Sequence, residues 1–495
     1  MSKSILIIGA GIAGLATGCY AQMNGYQTRI FGLHDKPGGL CTSWKRKGYT
    51  FDGCIHHLAG AGSSTELHRM WQELGSVQGR KMLFPEDLVQ VEGPGGKVLT
   101  VYTDLDRLEQ HMKEIALADT RTIEEYTRAA RRFACFDFFA LLGGGSGAML
   151  KALPYLPTLI KWMRITLGDY AQRFSDPFLR AAFPWIQYDF PNIPAGLNLD
   201  FLAGCHNKAL GWPEGGSLGF SRAIERRYLE LGGQVHYKSR VAKVLVEGDR
   251  AVGVRLADGS EHRADVVISA ADGRATIFDL LEGKYASDLI RRYYASAPAH
   301  QEMCVHVSLG VARDLSHEPH ALTILLEQPV TLAGQTCERL DVENYAFDPT
   351  LAPAGKTALK VLLDSSYDYW KELRADPERY RAEKERLAEQ VIGLLEARFP
   401  GIREQIEVVD VATPLTVERY TGNYLGYQAW GIPNVSPLGS LKGLSTTLPG
   451  LTGFYMVGHW AGATIGVSTV AAAGRKLVQR LCKADGRRFV ATPQR

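Results

Sequence analysis

The four apolar residues Ile5 to Ile8 run straight into Gly9, Gly11 and Gly14 in "SILIIGAGIAGLATGCYAQMNGYQTRIF", and few folds accommodate that order. A strand that feeds GxGxxG and then a helix opens a dinucleotide-binding βαβ unit. Gly9 makes the tight turn, Gly11 lets a pyrophosphate approach the backbone, and Gly14 packs the helix on the strand. Ile12 and Ala13 lie between them, at the helix N-terminus, where free N–H groups and the macrodipole favour anions. A small-residue helix ending near Gly25 and a second strand from Gln27 to Phe31 follow in the expected order. The helix continues without a charged leader, which argues against a secretory signal.

At 495 residues the chain exceeds a usual single domain, and two are expected. An apolar fraction of 45% and a charged fraction of 22% are those of a globular protein. The formal net charge of +3 offers no concentrated basic face, so no nucleic-acid partner is expected. Cysteines 19, 41, 54, 135, 205, 304, 337 and 482 have neither CxxC nor zinc-type spacing. They read as reduced thiols of a cytoplasmic protein, with no metal site. No run of eighteen apolar residues predicts a spanning helix, which leaves contact with a membrane surface open.

A second block, residues 211–272, predicts an amphipathic helix carrying Leu218, Ile224, Tyr228 and Leu231. Strands follow over Gln234 to Tyr237, Val241 to Glu247, Ala251 to Leu256 and Asp265 to Ser269, with a hairpin signal at Asp258-Gly259. A third block predicts a strand from Gly453 to Val457, a glycine-rich turn at Gly458 and a helix from about Val467 to Leu481. Between the blocks, a helix from about Pro377 to Phe399 places Leu387, Val391, Leu394 and Leu395 on one face. The simplest arrangement is a nucleotide domain of 1–75, 215–290 and 415–484, a substrate domain of 76–214 and 291–414, and a flexible tail at 485–495.

With "GAGIAGLATG", "HDKPGGLCTSWKRKGYTFDGCIHHLAG", "EGGSLGFSRAIERRYLELGG", "ADVVISAAD", "ATPLTVERYTGNYLGYQAWG" and "GFYMVGHWAGATIGVSTVAAAGR", the sequence resembles the flavin-dependent phytoene desaturase, carotenoid isomerase and retinol saturase group of the amine-oxidase-like flavoproteins. The resemblance implies an α/β fold with a Rossmann-like, GR2-type FAD-binding domain and a twice-inserted α+β substrate domain. It implies FAD in an extended pose: Gly9, Gly11 and Gly14 on the pyrophosphate, Gly38, Gly39 and Leu40 toward the ribityl, and Val241 against the adenine. Gly458, Trp460, Gly466 and Val467 would approach the flavin ring. The reaction implied is desaturation or saturation of a long apolar isoprenoid or polyene by hydride transfer with flavin N5. A redox-neutral isomerase, an amine oxidase and a flavin-poor scaffold are the alternatives. Only one GxGxxG is present, so electrons would pass to a quinone, oxygen or an outside reductase.

One position departs from the group. Its second strand ends in Glu, six residues before the paired glycines, and this chain has Gly32 there. A carboxylate accepting from the ribose hydroxyls is worth roughly 1.5–3 kcal/mol, about tenfold to a hundredfold in affinity. Asp35 or His34 could reach in instead. For catalysis, His56 and His57 are placed to move a proton beside the flavin, or else pack at the domain seam. Arg419 and Tyr420 could orient substrate or flavin, or form a structural turn, and His459 could stack near the ring with Trp460. Residues 147–170, with Lys151, Lys161 and Arg164 among apolar side chains, read either as a helix lying on a membrane surface or as ordinary core.

Overall fold

The computed structural model describes residues 2–136, 153–187, 192–295, 303–427, 444–462 and 466–492. Strand β1 (Ser4–Ile8) is buried on both faces, as the centre of a parallel sheet requires. It pairs in parallel with β2 (Gln27–Phe31) on one side. Beyond β2 lies β3 (Gln234–His236), and on the other side follow β4 (Val266–Ser269) and β5 (Phe454–Met456). The sheet order is therefore β3-β2-β1-β4-β5, drawn from three separated parts of the chain. Helix α1 (Ile12–Met23) packs against α2 (Gly216–Glu230) and α3 (Val467–Ala484). Small residues set these distances: a Cβ at Gly18 would lie 2.7 Å from the Tyr228 ring, and one at Gly474 would lie 2.7 Å from Thr17 Oγ1.

The second sheet has seven strands, in the order 406–412, 303–311, 357–365, 335–344, 321–332, 87–92 and 98–102. All neighbours are antiparallel except 321–332 with 87–92. One sheet thus joins chain from both sides of the 215–290 segment. The helix Pro377–Arg398 covers it with Leu387, Val391 and Leu395 buried and Leu394 only partly so. Asp376 caps that helix by accepting from the N–H groups of Glu378 and Arg379. A three-stranded antiparallel sheet, 241–247, 250–256 and 261–263, turns at the expected Asp258-Gly259.

One expectation needs correction, that of a flexible tail. Residues 485–492 dock on the Rossmann unit: Tyr26 Oη donates to Asp485 at 2.9 Å, Val490 N–H donates to Asn24 Oδ1 at 2.7 Å, and Phe489 lies against Tyr20. Three polar and aromatic contacts spread over six residues escape a reading based on hydrophobic periodicity. Of the stretch 147–170, read either as a helix on a membrane surface or as core, the described part forms two short helices, Leu156–Trp162 and Leu167–Ala171, after a 3₁₀ turn at Leu153–Tyr155; Lys151 lies outside the described residues. Lys161 is paired with Glu125 at 2.6 Å. Among the described residues no helix is long and apolar enough to cross a membrane and no His, Cys, Asp or Glu cluster could hold a metal ion.

Glu73, with only 2% of its side chain exposed, ties the parallel sheet's helices together. It accepts from Arg475 Nε on α3 at 3.0 Å and from Tyr20 Oη on α1 at 2.8 Å. Arg475→Ala strands this carboxylate and is expected to cost about 3 kcal/mol, seen as a fall in the thermal midpoint. Adding Glu73→Gln, which still accepts from Tyr20, should recover most of the loss.

Candidate functional site

The carboxyl ends of β1, β2 and β4 open on one cleft, where ligands of parallel sheets bind. At its floor Gly9 turns with φ +105°, and Gly11, Ile12 and Ala13 follow. Gly14 stands behind them, where a Cβ would lie 2.0 Å from Gly9 O, so its role is packing. Helix α1 begins at Gly11 with no side-chain cap and no acidic residue in its first turn. The loop after β2 lies directly on this turn: Gly38 N–H donates to Ala10 O at 2.9 Å, and Gly38 and Gly39 both have positive φ. Ser221 on α2 pins that loop by donating to Cys41 O at 2.6 Å. Gly38, Gly39 and Leu40 thereby reach the cleft wall.

Gly458, Trp460, Gly466 and Val467 form the far wall. Gly466 opens α3, again without a side-chain cap. Two helix N-termini whose N-cap residues are glycines, Gly11 and Gly466, therefore face one glycine-lined cleft, a setting that suits a diphosphate and a second electron-rich group. His459 Nε2 accepts from Gly466 N–H at 3.2 Å, and burial lowers its pKa to about 4, so the ring is neutral. Asp272 also lines the cleft, three residues beyond β4. Its carboxylate accepts from the N–H groups of Ala275 and Tyr424, yet burial raises it to about 6. Position alone could have flagged Asp272, because it follows the carboxyl end of a parallel strand.

Phe31, Gly32, Ser239, Arg240 and Val241 line the opposite end. A Cβ at Gly32 would meet Ala10 Cβ at 3.1 Å and the Tyr237 ring at 3.2 Å. Tyr237 is itself held by Glu225 on α2. The space beside residue 32 is thus taken by an aromatic ring that arrives 205 positions later in the chain. Asp35 does not replace the missing acid: it pairs with His34 Nδ1 at 2.7 Å and faces a neighbouring cavity, whereas His34 lines the cleft.

The catalytic candidates are scattered. Neither His56 nor His57 lines the cleft. His56 Nδ1 contacts Glu343, which also binds Lys360 Nζ and Tyr345 Oη, each at 2.6 Å. Burial alone would raise Glu343, but His56 and Lys360 hold it well below the usual carboxylate range. Lys360 Nζ donates on to Asp52 O, and Asp52 accepts from Ser217 N–H and Oγ, so the network joins the seven-stranded sheet to α2. His57 lies edge-on to Phe201 and near His320, and burial followed by the His320 charge lowers it to about 3. Tyr420 reaches the cleft rim and packs on His34 at 4.9 Å, while Arg419 faces the neighbouring cavity.

The family description NAD(P)-binding Rossmann-like domain matches residues 7–74. Prolycopene isomerase of Daucus carota is 25% identical over 96% of this chain and 79% of its own. The lycopene-forming phytoene desaturase of a Paracoccus species is 27% identical over 83% of this chain and 84% of its own. The chain is a relative of the phytoene desaturase, carotenoid isomerase and retinol saturase group. The crystal structure of an oxidoreductase from Methanosarcina mazei has the same fold, with a TM-score of 0.60, 19% identity, and coverage of 96% of this chain and all of that one. The fold class and the phytoene-desaturase-like enzyme type read from the sequence both stand.

Because Tyr237 and Ala10 crowd position 32, Gly32→Glu alone should lower stability, by about 1–3 kcal/mol, rather than tighten a dinucleotide. Gly32→Glu with Tyr237→Ala should recover it, as thermal midpoints and cofactor retention will show. A second expectation concerns acid. His57 is depressed below its ordinary 6.5 in the folded chain, so its contribution to stability is complete above pH 6.5 and falls away as pH drops toward 3. His57→Gln should flatten the thermal midpoint across that window.

Proposed function

We propose that the protein is an FAD-dependent oxidoreductase acting on carbon–carbon bonds of a long apolar isoprenoid or polyene, by desaturation or saturation. The observation that carries this reading is the glycine-lined cleft faced by the N-termini of two helices, α1 and α3. Gly9, Gly11, Ile12 and Ala13 would hold the diphosphate, Gly38, Gly39 and Leu40 the ribityl stretch, and Val241 the adenine. Gly458, Trp460, Gly466 and Val467 would receive the ring. When bound, FAD supplies a two-electron centre that accepts or returns a hydride at N5. The N-terminus of α3 favours negative charge at the ring end of the cleft. Neutral His459 adds no positive charge there, and buried Asp272 keeps one carboxyl close to its protonated form near pH 6.

The residues Glu343 and Lys360 fix the His56 ring through its Nδ1, the arrangement of a positioned proton carrier. The substrate class follows the relatives, which include carotenoid desaturases and an isomerase by name. Leu153, Leu156 and Ile160 are exposed together, with Leu197 on the adjoining helix, and would let the protein rest on a membrane where such a substrate dissolves. A quinone or oxygen would take the electrons. In this reading 1–75, 215–290 and 415–484 form the cofactor domain, although the helix Pro414–Thr421 packs on the seven-stranded sheet and sends only its end to the cleft.

A Cβ at Gly11 would meet only Gly38 O, at 3.7 Å, so Gly11→Ala leaves the chain folded while filling the diphosphate approach. The purified protein should carry or take up about one FAD per chain, and Gly11→Ala should bind it at least tenfold more weakly. Failure to take up FAD overturns the reading. With FAD bound, a panel of polyene hydrocarbons should yield products differing by two hydrogens; isomers alone, formed with reduced flavin and no net oxidation, would replace desaturation by isomerisation.

A further inference from the structure

A second cavity, of about 700 Å³, adjoins the dinucleotide cleft and shares with it the wall of His34, Lys36, Gly39, Leu40, Tyr420 and Thr421. Its far side is formed by the hairpin residues Trp44 and Arg46, the long helix's Tyr380 and Lys384, and the segment from Asp410 to Arg419. Five cations line it: Lys36, Arg46, Arg374, Lys384 and Arg419. Only two carboxylates do, Asp35 and Asp410.

Those carboxylates are already committed. Asp35 pairs with His34, and Asp410 accepts from Trp44 Nε1 at 3.1 Å and from Arg46 Nε at 3.0 Å. Lys384 has no carboxylate within ion-pair distance among the described residues and lies over the Tyr380 ring at 5.6 Å. Arg419 likewise has only its neighbour Tyr420 beneath it, at 5.5 Å. Lys36 donates to a backbone carbonyl, Ser43 O, at 2.8 Å. Burial lowers the pKa of both Lys36 and Lys384, only partly offset by the charges of Asp35 and Asp410. Arg46 and Arg374 are paired with Asp410 and Glu418, whereas half-buried Lys36 and Lys384 and exposed Arg419 have no carboxylate within ion-pair distance among the described residues, so these three suit an anion from outside the chain.

We propose that this cavity binds an organic diphosphate, its oxyanions between Lys384, Arg419 and Lys36 and its remaining part on Trp44 and Tyr380. The volume is that of a ligand much larger than inorganic phosphate, and arginine with lysine is the usual donor pair for phosphate groups. A reduced pyridine dinucleotide and a prenyl diphosphate both carry this chemistry. The site is distinct from the cleft assigned to FAD, and the proposal does not require that assignment.

Isothermal titration of the protein as purified, saturated with FAD, tests it with inorganic pyrophosphate, NADPH and geranyl diphosphate. One saturable site is expected, weakened about tenfold by Lys384→Met and by the exposed Arg419→Gln, but unchanged by Gly11→Ala. Tighter binding of NADPH than of geranyl diphosphate assigns a dinucleotide; the reverse assigns a prenyl head; both support the site. Absence of saturable binding by all three overturns it. So does binding that survives Lys384→Met and Arg419→Gln but is lost in Gly11→Ala, which would put the anion in the dinucleotide cleft. Because Gly11→Ala and the cavity variants are read separately, failure of FAD binding is distinguishable from failure of this proposal.

Discussion

A Cβ at Gly14 would lie 2.0 Å from the carbonyl oxygen of Gly9, so α1 can leave β1 at its observed angle only while residue 14 has no side chain. The rest of the parallel domain is built on that approach. It brings α1 down onto the sheet, and Thr17 and Gly18 then become contact points for α3 and Tyr228 of α2. Both helices are supplied from the middle and end of the chain, so one backbone contact near the N-terminus sets where residues 216 and 467 begin their helices. The cleft lies where those helix starts converge. Its chemistry is therefore mostly backbone: helix-start amides turned toward a space kept open by glycines.

This explains which parts of the site could be read from sequence. Backbone positions with positive φ announce themselves as glycine, and Gly9, Gly38, Gly39, Gly458 and Gly466 all adopt it. Strands β1 and β4 were legible because a parallel strand buried on both faces is a short apolar run, and β2 because it follows α1 in the order of a βαβ unit. Contacts between side chains distant in sequence carry no such mark. Tyr237 over Gly32, Glu343 against His56 and Arg475 on Glu73 join residues separated by hundreds of positions, and no periodicity encodes them. The docking of 485–492 escaped for the same reason: its anchors are single polar contacts to Asn24 and Tyr26.

The two sheets meet through charge as well as apolar packing. Asp52, Glu343 and Lys360 are all buried, and Lys360 bridges Glu343 on its own sheet to the backbone of Asp52 beside α2. Desolvating three ionised groups is expensive, and the attraction offsets it only where the geometry satisfies every remaining lone pair. Here Ser217, Tyr345 and His56 supply those bonds. An apolar seam would hold the sheets as well, so the network's distinctive effect is orientation: it fixes one histidine ring at the junction.

The loss of the acid at position 32 also acquires a physical context. An acidic side chain on β2 and the Tyr237 ring compete for one volume, since a Cβ there already meets the ring at 3.2 Å. Tyr237 is not free to swing aside, because its hydroxyl is bound to Glu225 on α2. In the proposed reading the adenosine end of the cleft would present an aromatic wall where the group has a carboxylate, with Arg240 and His34 as its nearby polar groups. A site of that composition would hold a nucleoside by surface contact and positive charge rather than by accepting from ribose hydroxyls. Diphosphate contacts at α1 would then have to supply most of the affinity for the nucleotide, which returns the burden to the glycine turn from which the domain is built.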